Sequence, residues 1–587
     1  MNYKLSTKTD EKDKQQSVLQ TALKRLIPLM AKEGKSVSIA LCAIAVTSAA
    51  ALLSPIIIAH TIDSYIVQKD FTGVLRFSGL LMLVYLCGLV ASYIQIRTMG
   101  VVGRRVLFNL RNALFTKLSE LPVAFFNQNK AGDLISRINN DTDKLNQFFS
   151  QALVQFIGNF ALIVGTGVFL LAINFRLGVA SLLPALVAII LTQLLSSWVK
   201  RTSLESLRKL GGMSGEIQES LSNFKVIVAF NRLDFFRKKF KAANEENYNA
   251  SISAGIAANT FTPLYTLAST LAQLVVLAYG LLLISEGSFS VGLLVGFILY
   301  VNNFYMPLRQ LAQVWSSLQL ALAGLDRISE VLALESDMQV VAIAGAASDA
   351  LLEFRGVSFR YPDGKEVLHN IHFKLSVGKT YALVGPTGGG KTTTASLMAR
   401  LYDPSEGAVF LGGRDIRTLS PEERTKKIGF ILQEPFLFTG TVKENILYGN
   451  ALERELSNDE VTVLLKKVGV TELIAHFRDG LETQVASTGD TISLGQKQLV
   501  AFMRAVLRSP EILILDEATA NIDTVTEQLL ESVLDKLPKS TTRVIIAHRL
   551  NTIENADSIF FVNGGTITPA GDMQHAMDML LHGKRSS

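Results

Sequence analysis

Six apolar segments dominate the first half of this 587-residue chain, and each is close to the ~20 residues with which an α-helix crosses a bilayer. They lie at about residues 37–62, 74–96, 150–173, 177–199, 258–284 and 290–312. Hydrophobic residues make up 49% of the chain and charged residues 18%, with few charges before Ser329. Because backbone polar groups in lipid have to bond within their own segment, the pattern predicts a bundle of six transmembrane α-helices.

The connections between the predicted spans alternate between short and long, and their charges indicate the orientation of the chain. The connection after the third span is only residues 174–176, whereas those after the second and fourth spans are long and have helical periodicity. The long connections begin with basic residues, including Arg97, Arg104, Lys200 and Arg201. Because basic residues beside a membrane mark its cytoplasmic side, both long connections and both termini are expected in the cytoplasm.

Each long connection contains a candidate turning point, at residues 125–132 and 224–231, between helices that are expected to extend beyond the bilayer. Both segments combine aromatic and polar residues, as a contact surface for a soluble domain would. An ordinary helical hairpin is the alternative.

The residues before Thr21 are polar and are interpreted as a short solvated tail. Thr21 to Lys32 is an amphipathic stretch expected to lie along the inner membrane surface.

Several amides lie within the predicted spans. Asn302 and Asn303 fall near the middle of the sixth span, and Gln155 and Asn159 share one face of the third. Amides in lipid are costly unless they face protein or water, so they are expected either in a cavity or in hydrogen bonds between helices. Arg309 lies closer to the inner surface, where its side chain can reach water.

The second half of the chain contains a phosphate-binding loop of the pattern G-x-x-x-x-G-K-[ST]. Its residues are Gly385, Pro386, Thr387, Gly388, Gly389, Gly390, Lys391 and Thr392. A short apolar strand is predicted at 379–384 and a helix at 392–401, which is the context that such a loop requires. Backbone N–H groups would cradle phosphate, Lys391 would reach the β- and γ-phosphates, and the Thr392 hydroxyl would bind Mg²⁺.

The apolar run 512–515 predicts a strand buried on both faces, and it ends in Asp516 and Glu517. Ligands of open α/β sheets bind at the carboxyl ends of strands, so both acids are expected beside the phosphate loop. Asp516 is placed to hold Mg²⁺, and Glu517 is placed to orient or deprotonate the water that attacks the γ-phosphate of ATP.

These features predict an α-helical transmembrane bundle fused to an α/β P-loop nucleotide-binding domain. The predicted division is 1–35 for the tail and interfacial helix, 36–334 for the transmembrane domain, 335–349 for a linker and 350–587 for the nucleotide-binding domain. The net charge of +6 is explained by orientation in the membrane, and no nucleic-acid partner is predicted.

As a set, the motifs resemble those of an ATP-binding cassette (ABC) half-transporter of the exporter type, over nearly the whole chain. The resemblance implies that Tyr361 stacks on adenine, that Gln433 reaches Mg²⁺ and the attacking water, and that His548 donates to the γ-phosphate. Thr393 and Asp523 match further residues of the family's nucleotide site. The implied cofactors are ATP and Mg²⁺, and the implied activity is ATP hydrolysis coupled to transport across a bacterial inner membrane.

The family's signature motif, usually L-S-G-G-Q, departs from the pattern in this chain. It matches residues 492–496, in which Ser493, Gly495 and Gln496 are regular and Leu494 replaces a glycine. The resemblance implies that this motif closes over ATP held by a second subunit. The bulky Leu494 is expected to hold the backbone away from phosphate or to restrict its conformation. Ser487 also stands where the family usually has glutamate.

Both departures lie on the surface with which this chain would close over its partner's ATP. They suggest that the chain is one half of a heterodimer with unequal ATP sites. A homodimeric exporter or lipid flippase is the alternative. An ATP-gated channel or regulator is a further class, against which Glu517 and His548 argue. The predicted function is ATP-driven export by alternating access, and the apolar spans suit small amphipathic drugs, lipids or hydrophobic peptides equally well.

Overall fold

The computed structural model describes residues 3–5, 28–342, 350–362, 364–450, 456–486, 492–516, 524–546, 555–571 and 573–582. The chain divides into two compact units, and it passes between them several times. The helical unit comprises Ser6–Ser119 and Ala131–Ala333. The α/β unit comprises Met1–Leu5, Glu120–Lys130 and Leu334–Ser587.

Long α-helices form the first part of the chain, and short helices separate some of them. The helices are α1 (Gly34–Thr61), α2 (Phe71–Glu120), α3 (Val123–Gln128), α4 (Ala131–Ser136), α5 (Thr142–Gln147), α6 (Leu153–Ile173), α7 (Phe175–Ser222), α8 (Phe224–Ala229), α9 (Leu233–Asn259), α10 (Phe261–Ser285) and α11 (Val291–Leu332). One turn of π-helix each, at Arg137–Asp141 and Phe148–Ala152, continues α4 into α5 and α5 into α6. The predicted turning points coincide with α3 and α8.

Six helical stretches among the described residues are long and apolar enough to cross a membrane, which confirms the predicted number of spans. They are Gly34–Ile66, Phe71–Glu120, Ala131–Ile173, Phe175–Ser222, Leu233–Ser285 and Val291–Leu311. With 50 residues, α2 is about 75 Å long at a rise of 1.5 Å per residue. This length is more than twice the ~30 Å hydrocarbon core, so the helix continues well beyond the bilayer, as the sequence predicts.

A close approach fixes the beginning of α11 against the end of α1. Asp63 accepts hydrogen bonds from the Ser290 hydroxyl and, at 2.7 Å, from the backbone N–H of Gly292. A Cβ atom at Gly292 would lie 2.2 Å from the carbonyl oxygen of Ala59, so only glycine permits this approach. The carboxylate therefore satisfies N–H groups that a helix start leaves free.

A buried arginine ties the α4–α5 region to the last turns of α11. The Arg137 side chain is 2% exposed and bonds Asp133 at 2.9 Å and Glu330 at 2.7 Å. Arg327 also pairs with Asp133, and at 3.2 Å with Asp141. The cluster joins helices whose contacts with each other would otherwise depend on apolar packing alone.

The α/β unit contains two larger sheets and a small two-stranded one. Its strands are β1 (Leu352–Arg360), β2 (Glu366–Leu375), β3 (Thr380–Val384), β4 (Glu406–Leu411), β5 (Arg414–Asp415), β6 (Ile428–Ile431), β7 (Gly440–Thr441), β8 (Gln484–Val485), β9 (Ile512–Asp516), β10 (Thr542–Ile546), β11 (Ser558–Asn563) and β12 (Thr566–Gly571). Strands β2-β1-β4-β5 form an antiparallel sheet, and the six-stranded sheet has the order β12-β11-β3-β10-β9-β6. The pairs of β3 with β10 and β11, and of β9 with β10 and β6, are parallel.

Helices cover the sheets of the α/β unit. They are α12 (Lys391–Met398), α13 (Pro421–Lys427), α14 (Val442–Leu447), α15 (Asn458–Val468), α16 (Leu494–Val506), α17 (Thr524–Lys536) and α18 (Met573–His582). Every residue of β9 is buried, which confirms the prediction of a strand covered on both faces. The core forms two apolar clusters, one between the two larger sheets and one beneath α14 to α17.

Tyr3 and Leu5 are buried, although Lys4 between them is exposed, so the interpretation of this segment as a solvated tail is wrong for these two residues. Tyr3 is 1% exposed and Leu5 is 5% exposed, and both belong to the α/β unit. Their apolar side chains gain more by leaving water than the polar neighbours of the segment lose. Of the predicted interfacial stretch, residues 28–32 are helical and the residues before them lie outside the described part of the chain.

Replacing Arg137 with alanine is predicted to lower the free energy of unfolding by about 2 to 3 kcal/mol, because Asp133 and Glu330 lose their buried partner. Arg237→Ala is the control, since the Arg237–Asp234 pair is 3.5 Å long with side chains 78% and 90% exposed. Arg237→Ala should lower the free energy of unfolding by less than about 0.5 kcal/mol. Denaturant unfolding of detergent-solubilised protein measures both, and equal losses would contradict the assigned role of Arg137.

Candidate nucleotide site

The predicted phosphate loop connects β3 to α12 and has the conformation that its glycines permit. Gly385 and Gly390 have φ angles of 148° and 112°, which side-chain-bearing residues rarely adopt. A Cβ atom at Gly385 would lie 2.0 Å from the carbonyl oxygen of Val562 on β11. The loop therefore lies against the end of a parallel strand, where ligands of α/β sheets bind.

Lys391, the first residue of α12, turns its ammonium group back over this loop. Its side chain is buried, and Nζ donates to the carbonyl oxygens of Gly385 at 2.8 Å and Pro386 at 3.0 Å. These two bonds keep a positive charge directly at the loop and away from bulk solvent. A polyphosphate in the loop would offer the same ammonium group stronger, charged acceptors.

Thr392 and Asp516 bring two oxygen ligands together, as the sequence predicts. The Thr392 hydroxyl donates to Oδ1 of Asp516 at 3.3 Å, and the Asp516 side chain is 2% exposed. Mg²⁺ prefers hydroxyl, carboxylate and phosphate oxygens, so this pair fits the ion beside a bound nucleotide. Thr392 and Asp516 would hold the ion, which would supply positive charge to neutralise the phosphates.

Aromatic side chains form one wall beside the phosphate loop. The Tyr361 hydroxyl lies 3.1 Å from the Thr393 hydroxyl on α12, and the Tyr361 ring packs edge-on against Tyr402, with centroids 5.3 Å apart. Asn127 of α3 donates to the Tyr402 hydroxyl at 2.6 Å. Sequence reasoning identified Tyr361 and Thr393 but missed Tyr402, for which only its position just after α12 could have served as a signal.

A side chain of α16, the helix that begins in the signature segment, bonds the backbone of Gln433. The carbonyl oxygen of Gln433 accepts from Nε2 of Gln498 on α16 at 3.0 Å, and the Gln433 side chain is exposed. Ser493 caps α16: its hydroxyl oxygen accepts from the N–H of Gln496 at 3.2 Å, and Gln496 bonds back to the N–H of Ser493 at 2.9 Å. This reciprocal capping box leaves the Ser493 hydroxyl proton free for a further acceptor.

Leu494 is the first residue of α16, directly after the capping serine. Any L-residue adopts a helical backbone at this position, so the expected restriction of the backbone does not follow from the change. The Leu494 side chain is 40% exposed. The substitution therefore changes the surface of the signature segment rather than its fold.

The remaining site residues of the sequence analysis lie outside the described residues. They are Glu517, Asp523 and His548, together with Ser487 of the altered upstream segment. Their predicted positions follow only from the elements beside them. Glu517 comes directly after the last residue of β9, and His548 follows β10 by two residues.

A membrane-embedded helical part and a P-loop α/β part in one chain define an ATP-driven membrane pump. A family model described as the ABC transporter transmembrane region matches residues 37–308, and one described as ABC transporter matches residues 368–520. The chain belongs to the ABC transporter family and is a half-transporter of the exporter type, which binds ATP with Mg²⁺ and couples ATP hydrolysis to transport.

Curated relatives match most of the chain. An uncharacterised ABC transporter ATP-binding protein of Bacillus subtilis, YfiC, is 34% identical over 94% of this chain and 91% of its own length. A multidrug resistance ABC transporter ATP-binding and permease protein of Lactococcus lactis is 31% identical over 84% and 83%. A fatty acid ABC transporter ATP-binding/permease protein of Mycobacterium bovis is 30% identical over 86% and 79%.

Replacing Tyr361 with alanine is predicted to weaken ATP binding about tenfold, because stacking of a base on an aromatic ring is worth about 1–3 kcal/mol. Tyr361→Phe is the matched control, since it retains the ring and loses only the contact with Thr393. Its affinity should stay within about threefold of the wild-type value. Titration with a fluorescent ATP analogue measures both, and equal affinities of the two variants would exclude stacking on Tyr361.

Proposed function

We propose that this chain exports a hydrophobic or amphipathic substrate from a bacterial cell, as one half of a dimer that is driven by ATP. The observation that carries the proposal is the contact of Thr392 with Asp516 beside the phosphate loop, in a chain with six spans. In this proposal the α/β unit and both termini are cytoplasmic, in keeping with the basic residues that begin the long connections.

The site residues divide into those that hold the nucleotide and those that act on water. Tyr361, Thr393 and residues 385–392 would bind ATP, and Lys391 would neutralise its terminal phosphates. Thr392, Asp516 and the Gln433 side chain would hold Mg²⁺. Glu517 would orient and deprotonate the attacking water, and His548 would donate to the γ-phosphate. Ser493, Gly495 and Gln496 of this chain would close over the ATP that a partner holds, and Asp523 would line the interface.

Glu517→Gln is predicted to abolish transport and to trap ATP, because the amide cannot accept a proton from water. Glu511→Gln is the matched control: Glu511 lies at the opposite end of β9 and pairs with Lys427 at 3.0 Å. The measurements are substrate uptake into inverted vesicles and retention of labelled ATP. Undiminished transport by the Glu517 variant would contradict the pump and favour a channel or regulator gated by ATP.

The partner is proposed to be a different half-transporter with a regular signature motif. Exporters of this family act as dimers, and two features of this chain suit a partner that is not identical. Leu494 alters the surface that would close over the partner's ATP, whereas the residues that would hold this chain's own ATP are regular. The turning helix α8 exposes an apolar surface, with Phe224 53% and Val226 55% exposed, which fits a docking surface for a cassette.

Purification of the tagged chain from its native cells tests this assignment. We expect a second half-transporter at equal amount, and we expect the activity to follow the pair. A fully active preparation that contains only this polypeptide would contradict the heterodimer and establish the homodimer. Leu494→Gly gives an independent readout, because restoring the small residue should raise the ATPase rate only if the altered signature limits one of the two sites.

Part of the substrate path is proposed to lie between α10 and α11. A cavity of about 250 Å³ is lined there by polar side chains, although both helices are apolar overall. Its polar lining residues are Thr266, Ser269, Thr270, Gln273, Asn302, Tyr305 and Arg309. Four of these recur at helical spacing along one face of α10, and Gln273 donates to Asn302 at 2.7 Å. A polar stripe in a membrane helix is costly unless it faces protein or water, so it suits an amphipathic substrate.

The names of two relatives, a multidrug and a fatty acid transporter, agree with an amphipathic substrate. Replacing Gln273 and Asn302 together with leucine is predicted to change which amphiphiles stimulate the ATPase while leaving the basal rate unchanged. Asn303→Leu is the control, since Asn303 bonds the carbonyl oxygen of Ala51 at 3.2 Å and should affect stability instead. Unchanged substrate preference in the double variant would remove this cavity from the path.

A further inference from the structure

The segment Tyr3–Leu5 is held by specific side-chain bonds, although the sequence analysis assigned it no role. The Tyr3 hydroxyl donates to Oδ1 of Asp337 at 2.6 Å and accepts from the backbone N–H of Asp337 at 2.9 Å. Burial, together with the bond to Asp337, raises the pKa of Tyr3 to about 12. The phenol therefore stays protonated at physiological pH and can donate continuously.

The backbone of the same segment is bound by the turn at α3. The Tyr3 N–H donates to Gln128 at 2.9 Å, the Leu5 N–H donates to the side-chain oxygen of Asn129 at 3.0 Å, and the Asn129 amide donates to the Tyr3 carbonyl at 2.9 Å. The Tyr3 ring also packs edge-on against Phe125, which is fully buried. Two side chains of the turn therefore hold the backbone of the segment, and the Tyr3 side chain reaches Asp337.

Asp337 and α3 lie next to the places where the chain passes between its two units. The chain enters the α/β unit at Glu120, leaves it at Lys130 and enters it again at Leu334, three residues before Asp337. These connections are one route by which a movement that ATP drives in the α/β unit can be passed on. The bonds of Tyr3 join them to one another within the α/β unit.

The turn at α3 is also linked to the nucleotide site. Asn127 bonds the Tyr402 hydroxyl at 2.6 Å, Tyr402 packs on Tyr361, and Tyr361 lies 3.1 Å from Thr393 of α12. Burial raises the pKa of Tyr402, so its phenol also stays neutral and can accept from Asn127. A continuous set of contacts therefore runs from Asp337 through Tyr3 and α3 to the wall of the ATP site.

We propose that Tyr3 is a positioning residue for the coupling of ATP hydrolysis to transport: it latches α3 to the linker residue Asp337, so that both connections move together when the nucleotide site closes. The proposal rests on the proposed function as an exporter. It predicts that loss of the latch uncouples ATP hydrolysis from transport. Without the latch, α3 can move independently of Asp337 and of the connection that follows α11. ATP binding and hydrolysis themselves do not require the latch.

Tyr3→Phe tests the latch, since it removes only the hydroxyl that bonds Asp337. We expect transport per ATP hydrolysed to fall at least about threefold, because the phenol loses its bond to the Asp337 carboxylate and the bond from the Asp337 N–H, with basal kcat and the KM for ATP unchanged. Tyr248→Phe is the matched control, because Tyr248 is 62% exposed on α9 and should change nothing. Uptake and ATPase are measured in the same proteoliposomes.

Variants at Asp337 make the test independent of stability. Asp337→Asn keeps an acceptor for the phenol and should retain coupling, whereas Asp337→Ala removes the acceptor, keeps the backbone N–H bond and should lower coupling by no more than Tyr3→Phe. Combining Tyr3→Phe with Asp337→Ala should lower coupling no further than Tyr3→Phe alone, because the phenylalanine already removes the side-chain bond that the alanine removes. A wild-type ratio of transport to hydrolysis in Tyr3→Phe, or a lower melting temperature with an unchanged ratio, overturns the latch. Absence of transport by the wild-type protein would instead overturn the proposed function.

Discussion

Thr392 and Asp516 are 124 positions apart in the sequence, and the order of the parallel strands brings their oxygens to 3.3 Å. β10 lies between β3 and β9, so the loop after β3 and the acid at the end of β9 meet at the same edge of the sheet. β11 flanks β3 on its other side, and its Val562 carbonyl lies where any side chain at Gly385 would have to fit. The place of the phosphate loop and its contact with Asp516 both depend on this strand order.

In the helical unit, charged and amide side chains need ionic or hydrogen-bond partners, because they lie in or near lipid. Outside the predicted spans, Arg137 gathers Asp133 and Glu330 into a buried cluster. Within them, amides pair across helices, as Gln273 does with Asn302. The helices make such pairs possible, since each satisfies its own backbone groups in lipid and leaves its side chains to pair.

The sequence predicted those parts of the protein whose physical cause is local. The six spans follow from apolar length, the turns at α3 and α8 from aromatic and polar residues together within long helical connections, and the phosphate loop from a glycine pattern with strand and helix beside it. The prediction for Leu494 was only partly right: the departure from the family pattern is real, but the residue begins a regular helix. The interpretation as a solvated tail was wrong for Tyr3 and Leu5, since polar composition cannot reveal that one tyrosine among polar neighbours is buried and has a partner far along the chain.

By itself, the sequence determined that this chain is a membrane-spanning ATPase, because bilayer thickness and phosphate geometry each impose a pattern on consecutive residues. Only the tertiary structure decided which residues that are far apart in the sequence contact one another. Tyr402 joins the aromatic wall, Tyr3 reaches Asp337 across 334 positions, and five side chains of α10 line a cavity beside α11. Such contacts arise from the packing of elements against one another, and no periodicity along the chain encodes them.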